Sequence, residues 1–319
     1  MHEDVQVEGK RRKKVSSING SKAIVNWRAV WQDQMLRCLD SQSGIGCTDY
    51  WEDKDTAERY WAARWEGSLE RIQEWMGSFR FTPQSRVLDI GSGPGVLAIP
   101  LARRVAHVTA VEPSNGMMSV LQEQAGKAAI DNIRFIQKRW DDVAVPDDLP
   151  ETSYDLIVAS FSLGMMDIQD SIKKMLAACS GCVHIFWFAG NPTWDLLSTR
   201  IWPALHDREY HPEPKCDVLM NVLYQMGIYP HVRPLRSSYR EEFSSLEEAL
   251  DYYSPKYGAI TRDQRTILGH CLCRVLKGSN SSLCLNHHYY YMHLWWEKGD
   301  GFMQETTTNP DIERLEEFL

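Results

Sequence analysis

Three glycines at alternate positions, Gly91, Gly93 and Gly95, follow directly on the apolar-rich run Val87, Leu88, Asp89, Ile90. The run suits a short buried strand, and Val96, Leu97, Ile99 and Leu101 resume after the bend at helical spacing. Such a strand, bend and helix is a binding device. Glycine adopts positive φ and lets a ligand approach the backbone, while the first N–H groups of the following helix attract electron-rich atoms. About twenty positions after the bend, residues 107–112 (H-V-T-A-V-E) read as a second strand that ends in a carboxylate, Glu112. A carboxylate at that spacing is placed to accept hydrogen bonds from both hydroxyls of a ribose. The expected ligand therefore contains a nucleoside.

A dinucleotide-binding bend would space its glycines as G-x-G-x-x-G, whereas here Pro94 follows Gly93 and residue 96 is not glycine. The pattern V-L-D-I-G-S-G-P-G, with Asp89 before the turn, resembles motif I of the class I S-adenosylmethionine-dependent methyltransferases. That resemblance implies an α/β fold: a seven-stranded doubly wound sheet, six strands parallel and the last antiparallel, with N-terminal helices and an inserted helical cap. It also implies S-adenosylmethionine as cofactor, held by Asp89, Gly91, Ser92, Gly93, Gly95, Glu112, Pro113, Met117, Trp140, Asp141, Ser160 and Phe161. In this scheme Met117 reaches toward the adenine and Trp140 offers it a backbone N–H. Arg139 stands where relatives commonly have an aspartate, so the contact to the adenine amino group passes to Asp141. Residues 154–163 (Y-D-L-I-V-A-S-F-S-L) resemble motif IV, led by Asp155, and their end at 160–162 is expected beside the transferable methyl. Two other readings stand beside this one, a Rossmann-type oxidoreductase and a non-catalytic adaptor that keeps the fold.

The elements that must position these residues follow from periodicity. Residues 23–39 and 56–77 repeat apolar side chains at three to four, which predicts two amphipathic helices separated by a polar break at 40–48. In relatives such helices lie across the cofactor pocket, where Trp51, Tyr60 or Trp61 would present an aromatic face to a sulfonium cation. Strands are expected at 133–140, 154–163 and 182–189, alternating with helices as in a parallel sheet covered on both faces. Residues 191–227 read as two helices around a polar turn at 206–214, followed by a strand at 229–239 and helices at 245–253 and 261–276. Ser244 or Ser245 is the expected cap of the first of these helices. Residues 284–298 (C-L-N-H-H-Y-Y-Y-M-H-L-W-W-E-K) form the expected antiparallel last strand. The resulting organisation is a disordered basic N-terminus at 1–20, lid helices at 21–78, a cofactor-binding core at 79–190, core completion with the cap at 191–299, and an acidic tail at 300–319.

Composition narrows the function. The chain has 319 residues, 43% hydrophobic and 24% charged, and a net charge of −8 that opposes generic polyanion binding. No apolar stretch is long enough to span a bilayer and the first residues lack a signal-peptide apolar region, so a cytoplasmic location is expected. The basic run at 10–14 (K-R-R-K-K) is expected to be solvated. Eight cysteines in such a chain read as reduced thiols, and neither Cys179 and Cys182 nor the pair Cys271 and Cys273 completes a metal signature. No N-P-P-Y or D-P-P-Y follows the fourth strand, and no P-C, which argues against DNA bases as acceptors. A methyl donor supplies the difficult chemistry and the protein supplies placement, so no triad is needed. The candidate bases, His184, His206, His211 and Tyr239, each have a structural alternative, and none is assigned. Trp194, Trp202, Tyr224 and Met226 favour an acceptor with planar or apolar parts. The expected acceptor is a small molecule, with a protein side chain as the alternative.

Overall fold

A computed structural model describes residues 25–42, 47–279 and 282–299, without the side chains at 47–48, 63–69 and 279. The basic run at 10–14, the tail at 300–319, and the side chains of Trp65 and Leu69 lie outside the described residues. Two N-terminal helices, α1 (Trp27–Ser41) and α3 (Lys54–Ser78), flank a short α2 (Cys47–Tyr50). The core then alternates β1 (Arg86–Ile90), α4 (Ala98–Ala102), β2 (His107–Val111), α5 (Asn115–Lys127), β3 (Ile133–Ile136), β4 (Tyr154–Ser160), α6 (Ile168–Ala178) and β5 (Cys179–Phe188). After it come α7 (Thr193–His206), α8 (Cys216–Gln225), β6 (His231–Phe243), α9 (Leu246–Lys256), α10 (Arg262–Val275), β7 (Lys277–Ser279) and β8 (Ser282–Glu297).

The sheet runs in the order β3-β2-β1-β4-β5-β8-β6. β1 to β5 pair in parallel, and β8 inserts antiparallel between β5 and β6, as the family resemblance implies. The three-residue β7, which periodicity did not predict, adds an eighth strand beside the start of β8. β1, β2 and β4 are apolar on both faces because helices cover both. On one face α4, α5 and the C-terminal half of α3 bury Ile99, Leu121, Trp75 and Met76. On the other, α1, α6 and α8 bury Trp31, Ile172 and Leu219.

Three expectations change. The two N-terminal helices do not form one lid but straddle the sheet: Trp31 of α1 donates its ring N–H to the Met165 carbonyl at 2.8 Å on one face, while α3 packs on α5 at the other. The predicted cap divides as well, since α8 belongs to the sheet's own cover and only α7, α9 and α10 form a separate core with Leu197, Trp202, Phe243, Tyr253 and Leu272. The third strand stops at Ile136, and Trp140–Asp142 is a 3-10 turn. Lys174 of α6 donates to the carbonyls of Trp140, Asp141 and Val143 and so holds that turn off the sheet.

β8 outlasts β5. Phe188, the last residue of β5, pairs with Tyr291, but β6 stays paired with β8 back to Phe243 and Leu283. A two-stranded ribbon therefore projects past the carboxyl ends of the parallel strands, the edge at which open α/β sheets bind ligands. The Thr193 hydroxyl donates to the His288 carbonyl (3.0 Å) and accepts the His288 N–H (2.9 Å), so α7 takes over the ribbon edge that β5 vacates.

Candidate functional site

The bend after β1 is built around glycine for two distinct reasons. Gly91 has φ +66°, and a Cβ there would lie 2.2 Å from that of Ser162, whose hydroxyl donates to the Ile90 carbonyl at 2.6 Å. Gly93 has φ +53°, yet nothing lies within 4 Å of where its Cβ would stand. The first glycine lets β1 and the end of β4 close together; the second leaves space. Gly95, at φ +95°, meets the Leu121 side chain of α5.

The N–H groups of Gly91 and Ser92 donate to the Val111 carbonyl, which ties the bend to the end of β2. One residue further, Glu112 is 7% exposed, and its two carboxylate oxygens accept from Gly93 (2.9 Å) and Ser114 (3.0 Å). Burial pushes its pKa up against the pull of those two N–H groups, with the Glu52 charge adding to the rise. Asp89 behaves similarly: burial, and then the Glu112 charge, push its carboxyl up to about 7. Asp89 Oδ2 and Ser92 Oγ are buried with no hydrogen-bond partner. Two unpaired polar atoms, an acidic anchor and open space at Gly93 fit a nucleoside bearing polar and cationic groups.

Pro113 and the N-cap Ser114 follow, the Ser114 hydroxyl accepting the Met117 N–H at 3.2 Å. That hydroxyl also donates to the Trp51 carbonyl, docking the start of α3 on α5. Met117 is enclosed with Ala57 and Val120, and Trp51, Tyr60 and Trp61 pack around them. Trp140 is buried, with its ring N–H on the Ser171 carbonyl at 3.1 Å. Asp141 accepts from the Ser171 hydroxyl and the Met166 N–H, so its carboxylate braces the start of α6. The structure thus gathers Asp89, Gly91, Ser92, Gly93, Gly95, Glu112 and Pro113 around one bend. The side chain of Met117 packs against Ala57 and Val120, and those of Trp140 and Asp141 hydrogen-bond to Ser171 of α6.

Beyond the bend, β4 ends at Ser160 and Phe161 takes φ +54°, an unusual backbone state for a bulky residue, while its N–H donates to the Phe186 carbonyl. The Phe161 ring lies 4.9 Å from Phe188 and 5.9 Å from Tyr289. Phe188 lies 5.5 Å from Trp194, and Trp194 lies 5.4 Å from Tyr289 and 6.1 Å from Tyr239. A continuous aromatic wall therefore runs from the end of β4 onto the ribbon. Arg71 of α3 closes it by donating to the Ser237 hydroxyl and the Tyr289 phenol, both at 3.1 Å. On the facing side, Lys215 donates to Asp195 at 2.7 Å and its ammonium lies 5.4 Å over the Phe188 ring. Glu213, raised in pKa mainly by burial, stands next to Gly164 in the segment leaving β4.

The candidate bases scatter. His184 is buried within the sheet against His293 (2.8 Å), and burial pushes its pKa down to about 3. His206 contacts the Tyr257 carbonyl at 2.8 Å in the cap, and His211 sits at the surface near Glu209. Tyr239 alone reaches the aromatic wall, stacked on His287 at 4.7 Å. Sequence reasoning missed His287 and its partner Glu241, which meet across the ribbon at 2.9 Å. Among the described residues no cluster of His, Cys, Asp and Glu is arranged to hold a metal, and no helix is long and apolar enough to cross a membrane. Cys179 and Cys182 open β5 as buried thiols, the first pushed up to about 11 chiefly by burial.

Residues 87–184 match the model of a methyltransferase domain family, whose members use S-adenosylmethionine as methyl donor. An uncharacterized protein of Haemophilus influenzae is 29% identical over 192 residues, 58% of this chain and 69% of its own. The methyltransferase YcgJ of Bacillus subtilis is 27% identical over 29% of this chain and 35% of its length. Its crystal structure aligns over 70% of this chain and 97% of its own with a TM-score of 0.46 and 15% identity. The magnesium protoporphyrin IX methyltransferase of Synechocystis, solved with bound S-adenosylhomocysteine, aligns over 84% of this chain and 99% of its own with a TM-score of 0.44 and 12% identity.

Proposed function

We propose that the chain, whose residues 87–184 match a methyltransferase domain, methylates a small molecule with planar or apolar parts, held against the aromatic wall between β4 and the ribbon. S-adenosylmethionine, when bound, supplies a methyl on a cationic sulfur that an acceptor lone pair displaces in line. The residues around the bend supply its seat. Glu112 would take the ribose hydroxyls, Asp89 and Ser92 offer their unpaired atoms, and Gly93 leaves room for close approach. Ser160 and Phe161 stand at the edge where donor and acceptor meet.

Placement carries the rate. Holding two reactants near contact removes on the order of 7 to 11 kcal/mol from a barrier, and this wall is fixed by ring packing, by Arg71 and by the buried Lys215–Asp195 pair. The observation that supports the small-molecule reading is the unbroken ring contact Phe161–Phe188–Trp194–Tyr289, with Arg71 of α3 hydrogen-bonded to the Tyr289 phenol. A protein side chain would need an open groove there instead. The decisive experiment incubates cell extract with the protein and an isotopically labelled methyl donor and follows label by mass spectrometry. Label in low-mass metabolites is expected. Label confined to proteins would overturn the reading, and tight nicotinamide dinucleotide binding in place of S-adenosylmethionine would overturn the methyl-transfer assignment itself.

A further inference from the structure

His287 lies at the inner face of the ribbon with none of its surface exposed. It is roughly 13 Å past the end of β5, since it precedes Tyr291, the partner of Phe188, by four residues of extended chain. Its Nε2 is 2.9 Å from Glu241 Oε2 on the neighbouring strand. Glu241 is itself held by two helix side chains, accepting the Tyr252 phenol at 3.0 Å on Oε1 and the Tyr253 phenol on Oε2. Burial alone would raise the Glu241 carboxyl, but the His287 and Tyr253 hydrogen bonds and the Lys256 charge outweigh it and hold the group down at about 2. Glu241 is thus an ionised acceptor, and a carboxylate can only accept, so Nε2 carries a hydrogen. The other ring nitrogen, Nδ1, is buried with no partner among the described residues.

Three of the four sides of this imidazole are accounted for. Tyr239 stacks on one face at 4.7 Å and 22°, Trp194 flanks it at 6.0 Å, and Glu241 holds the edge. A polar atom that is buried and left unpaired is unfavourable unless something arrives to pair with it. Here the same Trp194 also closes the aromatic wall through Phe188 and Tyr289. Resting on the reading of that wall as the acceptor site, we propose that His287 Nδ1 anchors the methyl acceptor by taking a hydrogen bond from an O–H or N–H on a planar, mostly apolar ring system. The anchored group is the end of the acceptor remote from the methyl edge. Trp194 and Tyr239, both half-buried, are the side chains that move aside to admit it. Glu241, held by the Tyr252 and Tyr253 phenols, is a positioning residue that orients the His287 ring.

The test uses the full chain saturated with S-adenosylhomocysteine and two probes, 2-naphthol and its methyl ether 2-methoxynaphthalene, with binding read by tryptophan fluorescence and calorimetry. The naphthol is expected to bind at least about tenfold more tightly than the ether, the size of one well-made hydrogen bond. His287→Phe is expected to erase that preference while leaving S-adenosylhomocysteine affinity unchanged. Equal binding of the two probes, binding of neither, or a preference that survives His287→Phe overturns the proposal. Should His287→Phe fail to fold, nitrogen-15 histidine spectra of the wild-type chain decide the matter. An unprotonated Nδ1 signal that moves on adding 2-naphthol is expected, whereas a protonated or unmoved Nδ1 overturns it. Failure of S-adenosylhomocysteine to bind would instead strike the methyltransferase reading, so the two failures are distinguishable.

Discussion

The Glu112 carboxylate accepts the Gly93 N–H at 2.9 Å, so the acidic end of β2 and the open glycine of the β1 bend form one unit. Its other oxygen holds the first N–H of the turn into α5, at Ser114. Replacing Glu112 by Gln keeps the shape and removes the charge. S-adenosylmethionine and S-adenosylhomocysteine are both expected to bind roughly 100-fold more weakly, about 3 kcal/mol, as hydrogen bonds to a charged group are lost. Titration calorimetry reads this directly, and an unchanged affinity would remove Glu112 from the cofactor seat.

Gly91 and Gly93 separate folding from binding. A Cβ at Gly91 collides with that of Ser162 at 2.2 Å, at a position that also has positive φ, so Gly91→Ala is expected to destabilise the chain by several kcal/mol or prevent folding. At Gly93 the Cβ meets nothing, and Gly93→Ala is expected to cost only about 1 to 2 kcal/mol for the left-handed backbone. It would nevertheless occupy the space at the bend and weaken cofactor binding. Chemical denaturation and calorimetry on both variants test the contrast, and equal losses of stability would contradict it.

These residues were legible because each belongs to a short local pattern and the bend and the carboxylate lie about twenty positions apart. The run 87–90, the glycine spacing, Glu112 at the end of β2 and the Ser114 cap are local signals, and the structure places them together. Long-range pairing was not legible. Helical periodicity marked α8 as amphipathic but carries no information about which surface it covers, and it joined α1 and α6 rather than the cap. Glu241 and His287 are 46 positions apart and meet through the register of β6 against β8, which an aromatic run of this kind does not reveal. His184, a candidate base by residue type, faces His293 inside the sheet, a partner 109 positions away.

Asp89 ties stability to pH. Burial, reinforced by the Glu112 charge, raises its folded-state pKa to about 7 from the ordinary 3.8, so the folded chain holds a proton that the unfolded chain has released. That contribution is fully present below about pH 4 and is lost as pH rises through 7. Asp89→Asn resembles the protonated form at every pH. The wild type is therefore expected to match the variant near pH 4 and to fall behind it by about 4 kcal/mol at pH 8. Unfolding midpoints across that range check the sign, and a wild type that gains stability relative to the variant with rising pH would refute it.

The Lys215–Asp195 pair offers the sharpest stability test outside the bend. The side chains are 11% and 7% exposed and lie 2.7 Å apart, with the Tyr210 phenol also donating to Asp195. Removing one partner leaves a charge stranded in a poorly solvated place, which typically costs 3 to 5 kcal/mol. Asp195 sits in the first turn of α7, where the helix dipole and the Tyr210 hydrogen bond still favour a carboxylate. Lys215→Met is therefore expected near the lower figure, about 3 kcal/mol, and the double variant Lys215→Met with Asp195→Asn should recover much of it, because no uncompensated charge remains. Denaturant unfolding of both single variants and the double variant measures the coupling. Strictly additive losses would mean that the pair does not act together in bracing the Phe188 side of the wall.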